Sequence, residues 1–175
     1  LMVDMLPGAF AGLPGWLAPV FSSSLSAATV LAVVLNLCFR IGVASKAVLE
    51  LERGGEPTWE VVAFMQRQGG AWGARPDVVN RASQTLLELV EAVLMPGGTE
   101  RLHLEVRFDE FNLDIVARWE GAALELPLRR LDPGEVFMDD KERRFLAGWM
   151  IRRIADRVTL AESGGVHRLN LHFNH

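Results

Sequence analysis

The sequence predicts an α+β protein: an N-terminal membrane-spanning helix followed by a two-layer α/β sandwich. Three observations carry that expectation. From Met5 to Phe39 the chain holds no charged side chain, a run of 35 residues, whereas charges recur throughout the remainder. Past residue 56, two stretches with helical spacing precede stretches in which apolar and polar residues alternate. Alternating strands have one face to bury, and helices can cover it, here with a mixed or antiparallel sheet.

Size and composition agree with this division. The 175 residues suffice for one globular domain and an appendage. With 50% hydrophobic and 23% charged residues, wholesale disorder is excluded. The net charge of −4 and the absence of a dense Lys/Arg block argue against nucleic acid as a partner. Cys38 is the single cysteine, so neither a disulfide framework nor a cysteine-based zinc cluster can form. The first residue is Leu1 and not Met, which raises the expectation of a longer polypeptide.

The uncharged run has two parts. Leu6–Pro19 contains Pro7, Pro14 and Pro19 together with Gly8, Gly12 and Gly15. Proline in a helix interior costs about 3 kcal/mol. This part therefore reads as a loop or short interfacial helix, with Trp16 at a membrane surface. Ser22–Phe39 then supplies 18 uncharged residues, Leu25, Val30, Leu31, Val33, Val34, Leu35 and Leu37 among them. About 20 apolar residues cross a bilayer core. With help from Ile41 and Val43, residues 22–43 are expected to span it, the lipid bilayer being their partner.

Asp4, the only charge before the run, is acidic, which is wrong for a signal peptide. Arg40 and Lys46 follow it and place its C-terminal end in the cytoplasm. Asn36, deep in the run, would need a neighbouring helix. The other reading is a wholly soluble protein, the run packing on the sandwich or on a second copy; a homo-oligomer stays open.

The composition break near residues 40–56 and the stretch Arg53-Gly54-Gly55-Glu56-Pro57 make residues 44–56 a linker, with the sandwich over 57–175. A first helix runs from Pro57, acceptable in a first turn, to about Gln68, and Gly69-Gly70 ends it. Pro76-Asp77 opens a second, which buries Val79, Ala82, Leu86, Leu89, Val90 and Val93 and stops at Pro96-Gly97-Gly98. Leu102, Leu104, Val106 and Phe108 then alternate with His103, Glu105 and Arg107. Phe111, Leu113, Ile115, Ala117 and Trp119 alternate with Asn112, Asp114 and Arg118, across a hairpin at Asp109-Glu110.

Ala122–Leu128 reads as a third strand and Asp132-Pro133-Gly134 as a turn. Asp139 or Asp140 caps a long helix whose buried stripe is Phe145, Leu146, Trp149, Met150 and Ile154. Val158–Ala161 and Val166–Phe173 form a last hairpin about Gly164-Gly165.

Two family resemblances sharpen this reading. Leu13-Pro14-Gly15-Trp16-Leu17, Pro19-Val20-Phe21-Ser22-Ser23 and the stretch from Ala32 through Leu35-Asn36-Leu37-Cys38-Phe39-Arg40 to Gly42 resemble the last membrane segments of the xanthine/uracil permeases, the nucleobase–cation symporters. The likeness covers the first 43 residues. It implies the C-terminal part of a many-span nucleobase transporter in the cell inner membrane, its C-terminal domain in the cytoplasm. The nucleobase would be held by upstream helices, so no residue here inherits a substrate role.

Glu88-Leu89-Val90-Glu91-Ala92-Val93 and Trp149-Met150-Ile151-Arg152-Arg153-Ile154-Ala155-Asp156-Arg157-Val158, with Glu162-Ser163-Gly164-Gly165 after them, are similar to the GHKL ATPase fold of anti-sigma serine kinases and histidine-kinase catalytic domains. This likeness covers residues 77–174. It implies a general-base position at Glu88 and an adenine-reading Asp-x-Gly-x-Gly over Trp119-Glu120-Gly121-Ala122-Ala123.

The sequence departs from that pattern. Ala92 stands where the family has a magnesium-binding Asn, and Trp119 and Ala123 replace the Asp and a Gly. Phe145 and Ala147 align with the phosphate-loop glycines, yet a phosphate cradle needs open backbone N–H groups. Glu88, Glu120 and Gly121 are therefore expected as a vestigial nucleotide site, with no catalytic residue, metal or cofactor. The domain reads as a non-catalytic regulatory or interaction module. The alternative is an anti-sigma or histidine-kinase-like protein that binds ATP.

Other groups offer less. His103, His167, His172 and His175 sit on or near strands. His172-x-x-His175 has loose metal-like spacing but no carboxylate or cysteine joins it, so surface histidines are expected. Cys38 reads as an inert thiol. Arg143-Arg144 and Arg152-Arg153 make a basic helix face, expected to be solvated and paired with Asp139, Asp140 and Glu142, or else set against anionic lipid headgroups. Trp119 and Trp149 are both expected to point inward and to fill the volume a nucleotide would take.

Overall fold

The computed structural model describes residues 23–40, 44–94, 96–129 and 140–175. The chain divides into two compact units, Leu1–Val43 and Ala44–His175.

In the first unit one helix is described, α1 (Ser24–Arg40). Its 17 residues rise about 1.5 Å each, some 25 Å in all, against a hydrocarbon core of about 30 Å. Among the described residues no helix is long and apolar enough to cross a membrane. The expected span over residues 22–43 is thereby corrected. The helix begins two residues later than the apolar run, and its first turns carry Ser24, Ser26 and Thr29. The Thr29 hydroxyl donates to the Leu25 carbonyl at 2.9 Å, within the helix. The interfacial segment expected over Leu6–Pro19, with Trp16, lies outside the described residues, as do Ile41 and Val43.

The second unit is built from β1 (Ser45–Glu52), α2 (Pro57–Trp72), α3 (Pro76–Val93), β2 (Arg101–Phe108), β3 (Asn112–Glu120), α4 (Asp140–Ile154), β4 (Arg157–Ser163) and β5 (Val166–Asn174). The five strands make one sheet in the order β1-β2-β3-β5-β4, antiparallel at every pairing. One face is buried under helices. Leu102, Leu104, Leu113, Ile115, Leu169 and Phe173 from the sheet meet Phe64, Leu86, Leu89 and Ile151 from the helices, all nearly inaccessible. Each such side chain is stabilised by about 1.5–3 kcal/mol through burial.

Residues 45–52, expected as linker, are an edge strand. They pair with β2 from Ser45↔Phe108 to Glu52↔Arg101. Ala47, Leu49 and Leu51 face the core in alternation with Lys46, Val48 and Glu50, the period that a pleated strand requires. The composition break marks the boundary between the units at Val43, and the chain enters the sheet at once.

Helix α2 passes through Gly69-Gly70 to Trp72 and ends on Gly73, whose φ of +67° closes the helix with amides on the Gly69 and Gly70 carbonyls. Gly69 serves packing instead of termination. A Cβ there would lie 2.6 Å from Val79 Cγ2, so glycine lets α2 and α3 approach. Pro76 occupies the first turn of α3, and Val78, Ala82, Leu86, Leu89 and Val93 are on its buried face.

Residues 122–128, expected as a strand, join no ladder. The chain leaves β3 at Gly121 (φ +108°) and buries Leu124, with Leu126 packed against the core. The turn expected at Asp132-Pro133-Gly134 and the cap at Asp139 lie outside the described residues.

Helix α4 buries Ala147, Gly148 and Ile151; of the expected stripe, Ile154 packs partly buried against the core and Phe145, Trp149 and Met150 are half-buried. The reason is a backbone approach: a Cβ on Gly148 would overlap the Glu125 carbonyl oxygen. Small residues therefore face inward. Leu146 is exposed, and Trp149, expected inward, is half-buried with the Arg153 guanidinium 5.7 Å from its ring. The last hairpin turns on Gly164 (φ +61°) and Gly165 (φ +79°), the pair of positive values that a two-residue type I′ turn needs.

Candidate functional site

Sequence reasoning assembled Glu88, Glu120 and Gly121 into one vestigial nucleotide site. The structure distributes them between two clefts. Glu88 is on α3, beside a cleft of about 380 Å³ between α3 and α4, which Glu91, Ala92, Arg143, Leu146, Ala147 and Met150 also line. Glu120 and Gly121 are at the end of β3, beside a second, open cleft of about 710 Å³ with Thr99, His103 and Arg118.

At the end of β3 the inward position belongs to Trp119, only 3% exposed. A buried indole needs a partner for its N–H, and Trp119 Nε1 donates to the Ala122 carbonyl at 3.0 Å. The ring tilts against His167, centroids 5.4 Å apart. His167, expected at the surface, is itself buried, with Nε2 3.0 Å from the Gly121 carbonyl. Gly121 thus uses its carbonyl to hold the histidine. Trp119 therefore takes the inward position at this end of the strand, and the open cleft beside it is lined by Thr99, Arg118, Glu120 and Gly121.

The α3–α4 cleft is open but carries the wrong charge for phosphates. Burial raises the Glu88 pKa above the ordinary carboxylate value, and the neighbouring Glu91 charge pushes it the same way. Ala92, buried on α3, offers no oxygen or nitrogen for a metal. Arg143 contributes one cation to the rim. Among the described residues no group of three or more His, Cys, Asp or Glu could hold a metal ion.

Outside the cleft, one network joins the two helices that border it. Arg81 Nη2 on α3 donates to the Ile154 carbonyl at the end of α4 (2.7 Å) and to Asp156 Oδ1 (2.8 Å). Asp156 Oδ2 accepts from the Asn174 amide at 2.8 Å. The Arg81 hydrogen bond, with the Asn174 amide behind it, holds the Asp156 carboxyl below its usual pKa against the opposing effect of burial. The guanidinium also lies 5.8 Å from the Phe173 ring centroid. The arginine thereby ties α3, the α4–β4 turn and β5 together.

The remaining histidines serve structure. His172 Nδ1 lies 2.6 Å from Asp114 Oδ1 on the neighbouring strand. His175 accepts the Arg75 amide at Nε2 (2.6 Å) and stands edge-on to Phe108. The two are not brought together as a metal pair. Sequence reasoning overlooked Arg143 as a cleft-lining residue and the pairing of Arg81 with Asp156 beside it. A helix arginine and an aspartate 75 positions later leave no local pattern by which to be found.

No protein-family model and no curated protein matches the chain.

Proposed function

We propose that residues 44–175 are a non-catalytic regulatory or interaction domain, and that the chain is the C-terminal part of a nucleobase transporter. The observation that carries the first half is the buried Trp119, hydrogen-bonded to Ala122 and packed on His167 where the GHKL resemblance has its adenine-reading aspartate. The chemistry at the other cleft points the same way. Glu88 and Glu91 repel a triphosphate, and Ala92 cannot bind the magnesium that would shield it. A fold of this kind without its ligand-binding groups retains surfaces for partners, and fold alone grants no activity. The transporter half rests on the resemblance of residues 13–42 to the xanthine/uracil permeases.

Two experiments test the halves separately. The full chain is titrated with magnesium-ATP by calorimetry; the expected result is no saturable binding that depends on Glu88. ATP binding abolished by Glu88→Ala would establish the ATP-binding alternative instead. For the transporter half, uptake of labelled uracil and xanthine is measured in native cells before and after deletion of the segment encoding residues 44–175. Altered uptake is expected, and identical uptake overturns the attribution.

A further inference from the structure

The helices cover one face of the sheet; the other face carries charge in an arrangement that folding alone does not reward. The register puts Lys46 directly opposite Arg107, and Arg118 directly opposite Arg168. Like charges directly opposite one another destabilise a strand pair. Arg157 stands opposite His172 at the far edge of the same face. These five cations border one cleft of about 370 Å³ in the open face of the sheet.

The acids within the cleft do not balance them. Asp114 is engaged by His172 at 2.6 Å, and Glu105 sits 3.5 Å from Arg118. Arg168 Nε donates to the neutral Asn170 side chain at 3.3 Å. Among the described residues, five cations against two carboxylates leave a local positive excess on a chain whose net charge is −4. From strand spacing and rise, the two opposed pairs and Arg157 stand roughly 16 Å from one another at the backbone. Their long stems converge on the cleft from three sides.

We propose that this open face is a binding site for a compact anion bearing several phosphate groups, seated by the Lys46–Arg107 pair, the Arg118–Arg168 pair and Arg157. Four of the five cations are arginine, whose planar fork matches phosphate oxygens two at a time and does not titrate away. The cleft lies within the size range of small-ligand sites. Single-stranded nucleic acid is disfavoured, because Val116, Thr159 and Asn170 line the cleft and, among the described residues, no Phe, Trp or Tyr lines it for bases to stack on. A continuous anionic lipid layer is disfavoured too. It would meet Glu50, Glu52 and Glu120, which share this face outside the cleft.

The test is calorimetric titration of the full 175-residue chain with sodium tripolyphosphate at moderate salt. Saturable binding is expected, weakened about tenfold or more in each double variant, Lys46→Gln with Arg107→Gln and Arg118→Gln with Arg168→Gln. Each variant removes one like-charge contact and one opposite-charge neighbour, Asp114 across from Arg107 or Glu105 beside Arg118, so the melting temperatures without ligand should change little, which separates lost binding from lost folding. Glu105→Gln leaves every cation in place and should tighten binding roughly threefold, the scale of one exposed charge pair. Arg152→Gln with Arg153→Gln on α4, and Glu88→Gln in the α3–α4 cleft, should leave it unchanged.

The proposal is overturned if tripolyphosphate produces neither heat nor a rise in melting temperature. It is equally overturned if the α4 or Glu88 variants lose binding as the sheet variants do. Equal affinity for a hexa-aspartate peptide would mean an acidic protein segment as ligand. Cosedimentation with phosphatidylglycerol vesicles without tripolyphosphate binding would mean a lipid surface.

Discussion

The end of β3 and the cleft between α3 and α4 hold the residues that the GHKL resemblance singles out, and they differ in kind. At the first, Trp119 stands where the resemblance has an aspartate: it is buried, its N–H is satisfied, and His167 and Gly121 hold it against the core beside an open cleft. At the second, the distinguishing feature is charge: two carboxylates border the open space, one with its pKa raised by burial. A buried, satisfied side chain is part of the core and contributes to stability. An open site of unfavourable charge costs stability and remains free to change. The comparison makes stability measurements a direct way to tell the two apart.

The largest effect is expected at the end of β3. Trp119→Ala removes a buried indole and should cost about 3–5 kcal/mol, read from urea denaturation. A loss below about 1 kcal/mol would show that the indole is not part of the core. Gly148→Ala comes next, at about 1–3 kcal/mol from overpacking, because its methyl would overlap the Glu125 carbonyl oxygen. The variant should also make residues 122–128 more sensitive to limited proteolysis than in the parent chain.

Arg81→Ala should cost about 1–2 kcal/mol, the scale of charged hydrogen bonds discounted for partial exposure. It also carries a pH signature. The folded-state pKa of Asp156 is depressed. Its stabilisation is therefore fully present above the unfolded value near 3.9 and is lost as pH falls through the depressed value. Arg81→Ala should flatten that acid limb, measured as denaturation midpoints from pH 5 to pH 2.

The smallest change belongs to the open cleft, with the opposite sign. Glu88 has a raised folded-state pKa. The stability linked to its proton is present below the unfolded value near 4.3 and is lost as pH rises through the raised value. Glu88→Gln should therefore stabilise the chain at pH 7, by less than about 1 kcal/mol given its exposure, and have no effect at pH 3. Destabilisation at pH 7 would mean that Glu88 is held by a cation, and the contrast between the two ends would fail.

Much of the domain was legible one residue at a time. The alternation in β2, β3 and β5 and the stripe of α3 follow from periods of 2 and 3.6 residues, which need no knowledge of neighbours. Trp119 was legible as inward-facing for the same reason. The errors share a different cause. β1 was hidden because a composition break beside it outweighed a short alternation. The stripe of α4 was placed over large apolar residues, whereas the close approach of the Glu125 backbone requires glycine at position 148 and puts Ala147, Gly148 and Ile151 on the buried face. The expected membrane span rested on counting uncharged residues, but α1 has 17 residues and, among the described residues, no helix is long and apolar enough to cross a membrane.

By itself the sequence determined the faces: which side of each strand is apolar, where turns must fall at Gly164-Gly165, and that Trp119 points inward. These are local consequences of side-chain size and backbone freedom. Only the tertiary structure decided the pairings. It set Arg81 against Asp156, His167 against Gly121, and Lys46 and Arg118 opposite cations of their own sign. Those contacts depend on strand order and register, which bring distant residues within a few ångströms and leave no periodic trace along the chain.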